Sequence, residues 1–162
     1  MEPIKLIREK RHRLPRRFYV GMVTVTFTFC MRDRFPALTD PATVDAMLTR
    51  LRNTLDKHQL RNWAYVFMPD HLHCILEGKT DGSDLLGAAY LFKKATGAWL
   101  RWHRPTVKWQ KDFYDHIHHK DEDLHKQISY IIANPIRKGL VEDWLEYPYL
   151  GSLDYDIREI CW

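Results

Sequence analysis

Trp63-Ala-Tyr-Val-Phe-Met68, then Pro69-Asp70, then His71-Leu-His-Cys-Ile-Leu76 is the stretch from which the rest of the chain is read. The first segment is apolar on both alternations, as expected of a strand buried on both faces. Pro-Asp is turn chemistry, and the second segment returns as an antiparallel partner. In that returning strand, side chains two apart share a face. His71 and His73 therefore stand on one side, and Leu72, Cys74 and Leu76 on the other.

Outward from this hairpin the periodicities are equally plain. Val23, Val25, Phe27 and Phe29 alternate with Thr24, Thr26 and Thr28, which predicts a strand. Asp40-Pro41 is a helix start, followed by Val44, Met47, Leu48, Leu51 and Leu55 along one helical stripe. Ser83 is a possible cap for a helix running to about Trp102, and Val107 to His118 has room for another strand. Asp121, Glu122 and Asp123 precede a helix whose core face is Leu124, Ile128, Ile131 and Ile132, and Asn134-Pro135 disturbs or ends it. The order β-α-β-β-α-β-α predicts an α+β ferredoxin-like sandwich. Its antiparallel sheet has helices on one face, plus an added helix carrying Tyr130.

The chain has 162 residues and is 45% hydrophobic, enough for one domain with its own core. Net charge is +4, and it is unevenly placed. Residues 1–17 hold seven basic side chains against Glu2 and Glu9, so the body is close to neutral. We divide the chain into a basic arm, 1–17, and a single domain, 18–162. A basic arm suits a polyanion or serves as a solvated tail. Cys30, Cys74 and Cys161 are too few and too scattered for a disulfide framework. With no secretion signal and no membrane-length apolar run, the expected location is the cytoplasm.

Several side chains have chemical potential. Two imidazoles on one strand face can ligate a divalent ion, or pack as structural residues. His116 and His118 have the same spacing, and spacing alone does not choose between the pairs. The first pair lies among apolar neighbours, where burying imidazole needs a reason. The second lies in a polar run, read mainly as solvated surface. On the late helix, Tyr130 and Asn134 fall on a polar face roughly 110° or more from the isoleucines at about 100° per residue. That pair is either a nucleophile beside a ligand or an ordinary wet helix face. Leu91 to Lys111 contains no acidic residue, while Trp99, Trp102 and Trp109 are interleaved with bases. Bases neutralise phosphates and indoles stack on nucleobases. Candidate DNA contacts are Arg11, Arg13, Arg16 and Arg17 in the arm, and Lys93, Lys94, Arg101, Arg104 and Lys108 in this stretch.

Three stretches together resemble the single-tyrosine HUH transposases, and within them the REP-associated tyrosine transposases. They are Tyr65-Val-Phe-Met-Pro-Asp-His-Leu-His-Cys-Ile-Leu76, Lys108-Trp-Gln-Lys-Asp-Phe-Tyr-Asp-His116 and Tyr130-Ile-Ile-Ala-Asn-Pro-Ile-Arg-Lys-Gly-Leu-Val141. The likeness covers most of residues 18 to 152. It implies His71, His73 and Asn134 as ligands of Mg²⁺ or Mn²⁺ and Tyr130 as nucleophile. It also implies single-stranded or hairpin DNA as substrate, cut through a 5′-phosphotyrosine. Insertion-sequence relatives more often carry Gln where Asn134 stands. His118 and His119 depart from the family, which usually has Ile-Arg there. The resemblance leaves the oligomeric state open between monomer and dimer. Tyr130 and Asn134, read as lying on one short helix, favour a monomer. The alternatives are a non-catalytic hairpin DNA- or RNA-binding protein on the same fold, or a two-histidine phosphodiesterase. The last would want two His-x-Ser/Thr motifs, which are not found.

Overall fold

The computed structural model describes residues 13–161. Five strands form one antiparallel sheet: β1 (Thr24–Cys30), β2 (Leu60–Met68), β3 (His71–Gly78), β4 (Tyr114–Ile117) and β5 (Leu150–Gly151). Their spatial order is β4-β1-β3-β2-β5. Without β5 this is the ferredoxin-like arrangement expected from the sequence. The short β5, paired with Tyr65 and Val66, extends the edge beyond the expected strands.

Helices α1 (Pro41–His58) and α2 (Leu85–His103) cover one face. Phe27, Phe29, Leu72, Cys74 and Leu76 of the sheet meet Val44, Met47 and Leu51 of α1 and Leu85, Ala89 and Phe92 of α2. Asp40 caps α1 through the Thr43 amide at 2.9 Å, with Pro41 at its first turn, as the sequence suggested. The cap of α2 is Asp84, one residue after the expected Ser83. Ser83 is buried, and its hydroxyl donates to the Gln59 carbonyl while accepting from the amides of Lys79 and Thr80.

Helix α3 (Leu124–Ile132), capped by Asp123, lies on the opposite face. Ile128, Ile131 and Ile132 pack on Ala64, Val66, Met68 and Ile75, making a second apolar core. Helix α4 (Asn134–Arg137) follows after a single residue, and α5 (Ile157–Ile160) closes the described chain. Asn134 thus opens a new helix instead of continuing the one that holds Tyr130, as Pro135 obliges. Proline has no amide proton to donate, and its ring crowds the preceding turn. Among the described residues no helix is long and apolar enough to cross a membrane.

The described part of the basic arm is tied to the domain. Tyr19 is fully buried and donates its hydroxyl to Asp115, which also pairs with Arg13. Arg13 additionally stacks over the Phe113 ring at 4.1 Å. Asp115 is a buried carboxylate that needs both partners. Asp115→Ala strands the Arg13 guanidinium and the Tyr19 hydroxyl, with an expected loss of about 3–5 kcal/mol. Urea unfolding measures this directly, and a loss below about 1 kcal/mol would show that the arm is not held by this pair.

Candidate active site

The β1–β3 register places Thr28 opposite His73 and Cys30 opposite His71. Opposed residues share a face, so the imidazoles stand on the α3 side, away from Cys74. His71 is buried and His73 partly exposed. Their Nε2 atoms converge to 3.1 Å. Their outer nitrogens are held separately: His71 Nδ1 lies 2.6 Å from Asp70 Oδ1, and His73 Nδ1 lies 2.8 Å from Thr28 Oγ1.

Ionised, Asp70 can only accept, so His71 Nδ1 is the donor to it, and the other ring nitrogen, Nε2, faces that of His73. Two imidazoles aimed at one point, with carboxylate and hydroxyl groups behind them, have the orientation expected of metal-binding histidines. Burial drives the His73 pKa down to about 3, and the charges of His71, Arg137 and Arg34 push the same way against Asp70. A neutral imidazole is the form that ligates. Asp70 is held below the ordinary carboxylate range: burial would raise it, but His71 and Arg34 outweigh that. Arg34 reaches Asp70 at 2.7 Å from a backbone with φ of +55°, a left-handed conformation uncommon for arginine.

A second cluster sits on α3 and α4. Tyr130 is 63% exposed, so its phenol is open to a large substrate. Asn134, expected on the same wet face, is buried instead. Arg137 joins the two. It donates to the Tyr130 backbone carbonyl and to Asn134 Oδ1, each at 2.7 Å, and lies 4.0 Å over the Tyr130 ring. Arg137 was not singled out from the sequence, although its position three residues after Asn134 and seven after Tyr130 is a helical same-face spacing.

The competing histidines have other partners. His116 Nε2 pairs with Glu122, and His118 Nε2 lies 2.7 Å from Thr26 Oγ1. Among the described residues no cluster of three or more His, Cys, Asp or Glu side chains is placed to hold a metal. A third protein ligand beside His71 and His73 would therefore come from a different group, such as the Asn134 amide oxygen.

Of the expected DNA contacts, Arg11 lies outside the described residues. Arg13 and Arg16 are committed to Asp115 and Asp84. Arg104 is held by the Ala37 carbonyl and Asp40, and Lys93 by the carbonyls of Gln110 and Lys111. These four serve the fold first, because each has an internal acceptor within reach. Arg17, stacked on Phe18, is exposed. Lys94, Arg101 and Lys108 are exposed and line a groove of about 510 Å³ with Lys111. Of the three interleaved tryptophans, Trp109 is core and bonded to Thr96, and Trp99 stacks on His103. Trp102, 85% exposed, is the free indole face.

A curated protein of Haemophilus influenzae assigned to the REP-associated tyrosine transposases is 27% identical over 144 residues, covering 82% of this chain and 80% of its own. A REP-associated tyrosine transposase of Escherichia coli is 26% identical over 140 residues, covering 83% and 79%. The chain is a homologue of the REP-associated tyrosine transposases. No protein-family profile matches it. The fold agrees with that family: a REP-associated tyrosine transposase solved bound to a REP hairpin superposes with a TM-score of 0.71 at 22% identity, over 89% of this chain and 82% of that one. A Deinococcus radiodurans structure described as a transposase gives 0.52 at 20% identity, over 77% and 96%.

The pairing of Arg16 with Asp84 has a pH signature. Burial alone would raise the Asp84 pKa, but the Gly87 amide and Arg16 lower it below its ordinary value. A carboxylate so lowered contributes stability above its unfolded pKa and loses it as pH falls through the folded one. Asp84→Asn should therefore lower stability at neutral pH and flatten its decline in acid, read by thermal melting from pH 7 to pH 3. An unchanged acid limb would show that Arg16 is free for other partners.

Proposed function

We propose that this protein is a metal-dependent single-stranded DNA endonuclease and strand transferase, cutting beside a hairpin through a 5′-phosphotyrosine on Tyr130. The observation that carries this reading is the convergence of two oriented imidazole Nε2 atoms at 3.1 Å, beside helices that present an exposed tyrosine. His71 and His73, with the Asn134 amide oxygen, would hold the ion. Nitrogen with oxygen donors and no thiolate suits Mn²⁺, and Mg²⁺ less well. Bound there, a divalent ion would supply Lewis-acid polarisation of the scissile phosphate.

The chain's own groups account for the rest. A phenol ordinarily ionises near pH 10, so it must shed its proton to solvent or a base as it attacks. The Tyr130 oxygen bonds to phosphorus, the bond to the 3′-oxygen breaks, and that oxygen leaves as a hydroxyl after taking a proton. One phosphodiester replaces another, so a different 3′-hydroxyl can reverse the step and rejoin strands. Lys94, Arg101 and Lys108, beside their groove, are the proposed phosphate contacts, and the Lys108 carbonyl accepts from the Arg32 amide just past the end of β1. There the Met31 amide bonds the Asp70 carbonyl, beside the imidazoles. Arg137 joins the proposed nucleophile and the proposed ligand, so the two act as one unit toward the histidines, in our reading those of the same chain.

Labelled hairpins from the host's repeated intergenic sequences should give a covalent protein–DNA adduct on denaturing gels, abolished by chelator and by Tyr130→Phe. A persistent adduct with Tyr130→Phe would move the nucleophile elsewhere, Tyr114 being next. Asp70→Asn should weaken Mn²⁺ binding by about 10–100-fold in calorimetry, as loss of an orienting carboxylate does. Unchanged affinity would argue against His71 as a ligand. For the monomer, a mixture of Tyr130→Phe and His71→Ala should stay inactive, and restored cleavage would mean that two chains build each site.

A further inference from the structure

Arg137 has two features that a purely structural arginine does not need. The first is its electrostatic setting. Arg13, Arg16, Arg34 and Arg104 all pair with carboxylates, whereas Arg137 is bound by neutral oxygens, a backbone carbonyl and the Asn134 amide. Among the described residues no carboxylate pairs with it, so its charge is not compensated. The second is its pose. Two of its five N–H donors are fixed to its own helices, and the planar group lies 4.0 Å over the Tyr130 ring on the exposed surface. The guanidinium is held in orientation while the remaining donors and the full charge stay available.

An oriented guanidinium with spare donors is the geometry that binds a phosphate bidentately, which lysine cannot copy. Resting on the reading of the site as a DNA transesterase, we propose that Arg137 is a further catalytic residue. Its guanidinium grips the scissile phosphate and sets it beside the Tyr130 oxygen. The same side chain fixes the Asn134 amide, because only its carbonyl oxygen can accept from Arg137. Nothing in this role requires Arg137 to leave its perch, since the phosphate takes donors that the helices do not use.

The test is a double-mutant cycle in which the partner of Arg137 is an atom of the DNA. The cleavage position is first mapped from the adduct formed by the parent protein. Affinity is then measured in the Tyr130→Phe background for DNA with an ordinary phosphate or a neutral methylphosphonate at that position. Arg137→Gln should weaken binding to the first and leave binding to the second unchanged, with a salt slope shallower by about 0.7. In the cleaving protein it should slow adduct formation by about 100-fold, the scale of one lost transition-state donor. Arg137→Lys should restore the salt slope but not the rate, and the rate of this variant carries the test if the glutamine variant does not fold. Equal loss of affinity on charged and neutral DNA, or cleavage at the parent rate, would reduce Arg137 to a helix clamp and overturn the proposal. A parent protein that forms no adduct with any hairpin would instead overturn the function proposed for the site, and this role with it.

Discussion

The antiparallel pairing of β1 with β3 is the constraint on which the candidate site depends. A strand has a side-chain period of two, so sliding this register by one residue would exchange its faces. His71 and His73 would then enter the aromatic core beneath α1 and α2, and Cys74 would take their place. Phe27 opposite Cys74 and Phe29 opposite Leu72 hold the register, because those pairs must stay in the core. The threonines between them stand on the other face and can serve the histidines, which is how Thr28 comes to hold His73. One alternation, apolar against threonine, thus builds the core and orients the site.

That division also explains why the second core is incomplete. Helix α3 packs on the β2 and β3 side of its face. Thr24 and Thr26 on β1, and His116 on β4, are left uncovered or only partly covered. This half of the sheet is therefore open next to the imidazoles. Of the candidate contacts, Lys94, Arg101 and Lys108 stay exposed beside the α2 groove, and the Lys108 carbonyl accepts from the Arg32 amide just past the end of β1.

The sequence made the strands and helices legible because their apolar residues repeat at clean periods. Spacing and local chemistry marked the histidine pair and Tyr130 only as candidates, and their expected roles came from the resemblance. The fates of the basic residues were not legible in the same way. Arg13 meets Asp115 across 102 positions, Arg16 meets Asp84 across 68, and Arg104 meets Asp40 across 64. Such pairs exist only after the sheet and helices have assembled, and nothing local marks them. The cap at Asp84 is a different case. Ser83 and Asp84 are both good caps, and the choice is settled by Ser83 being needed to tie down the turn after β3. Arg137 was within reach of a local reading, since its helical spacing links it to both Asn134 and Tyr130.

The interruption between α3 and α4 gives those neighbours different environments. In an unbroken helix, Tyr130 and Asn134 would be one turn apart on the same face and similarly exposed. Instead the Ala133 amide closes on Ser129, the helix stops, and α4 starts afresh at Asn134 with Pro135 behind it. Tyr130 stays outside, where a bulky strand can reach it, while Asn134 is turned into the protein. Arg137 spans the break from the far side, and Gly139, with φ of +70°, lets the chain turn away immediately after. A proline that would damage a longer helix here separates an accessible phenol from a sheltered amide, with one guanidinium holding both.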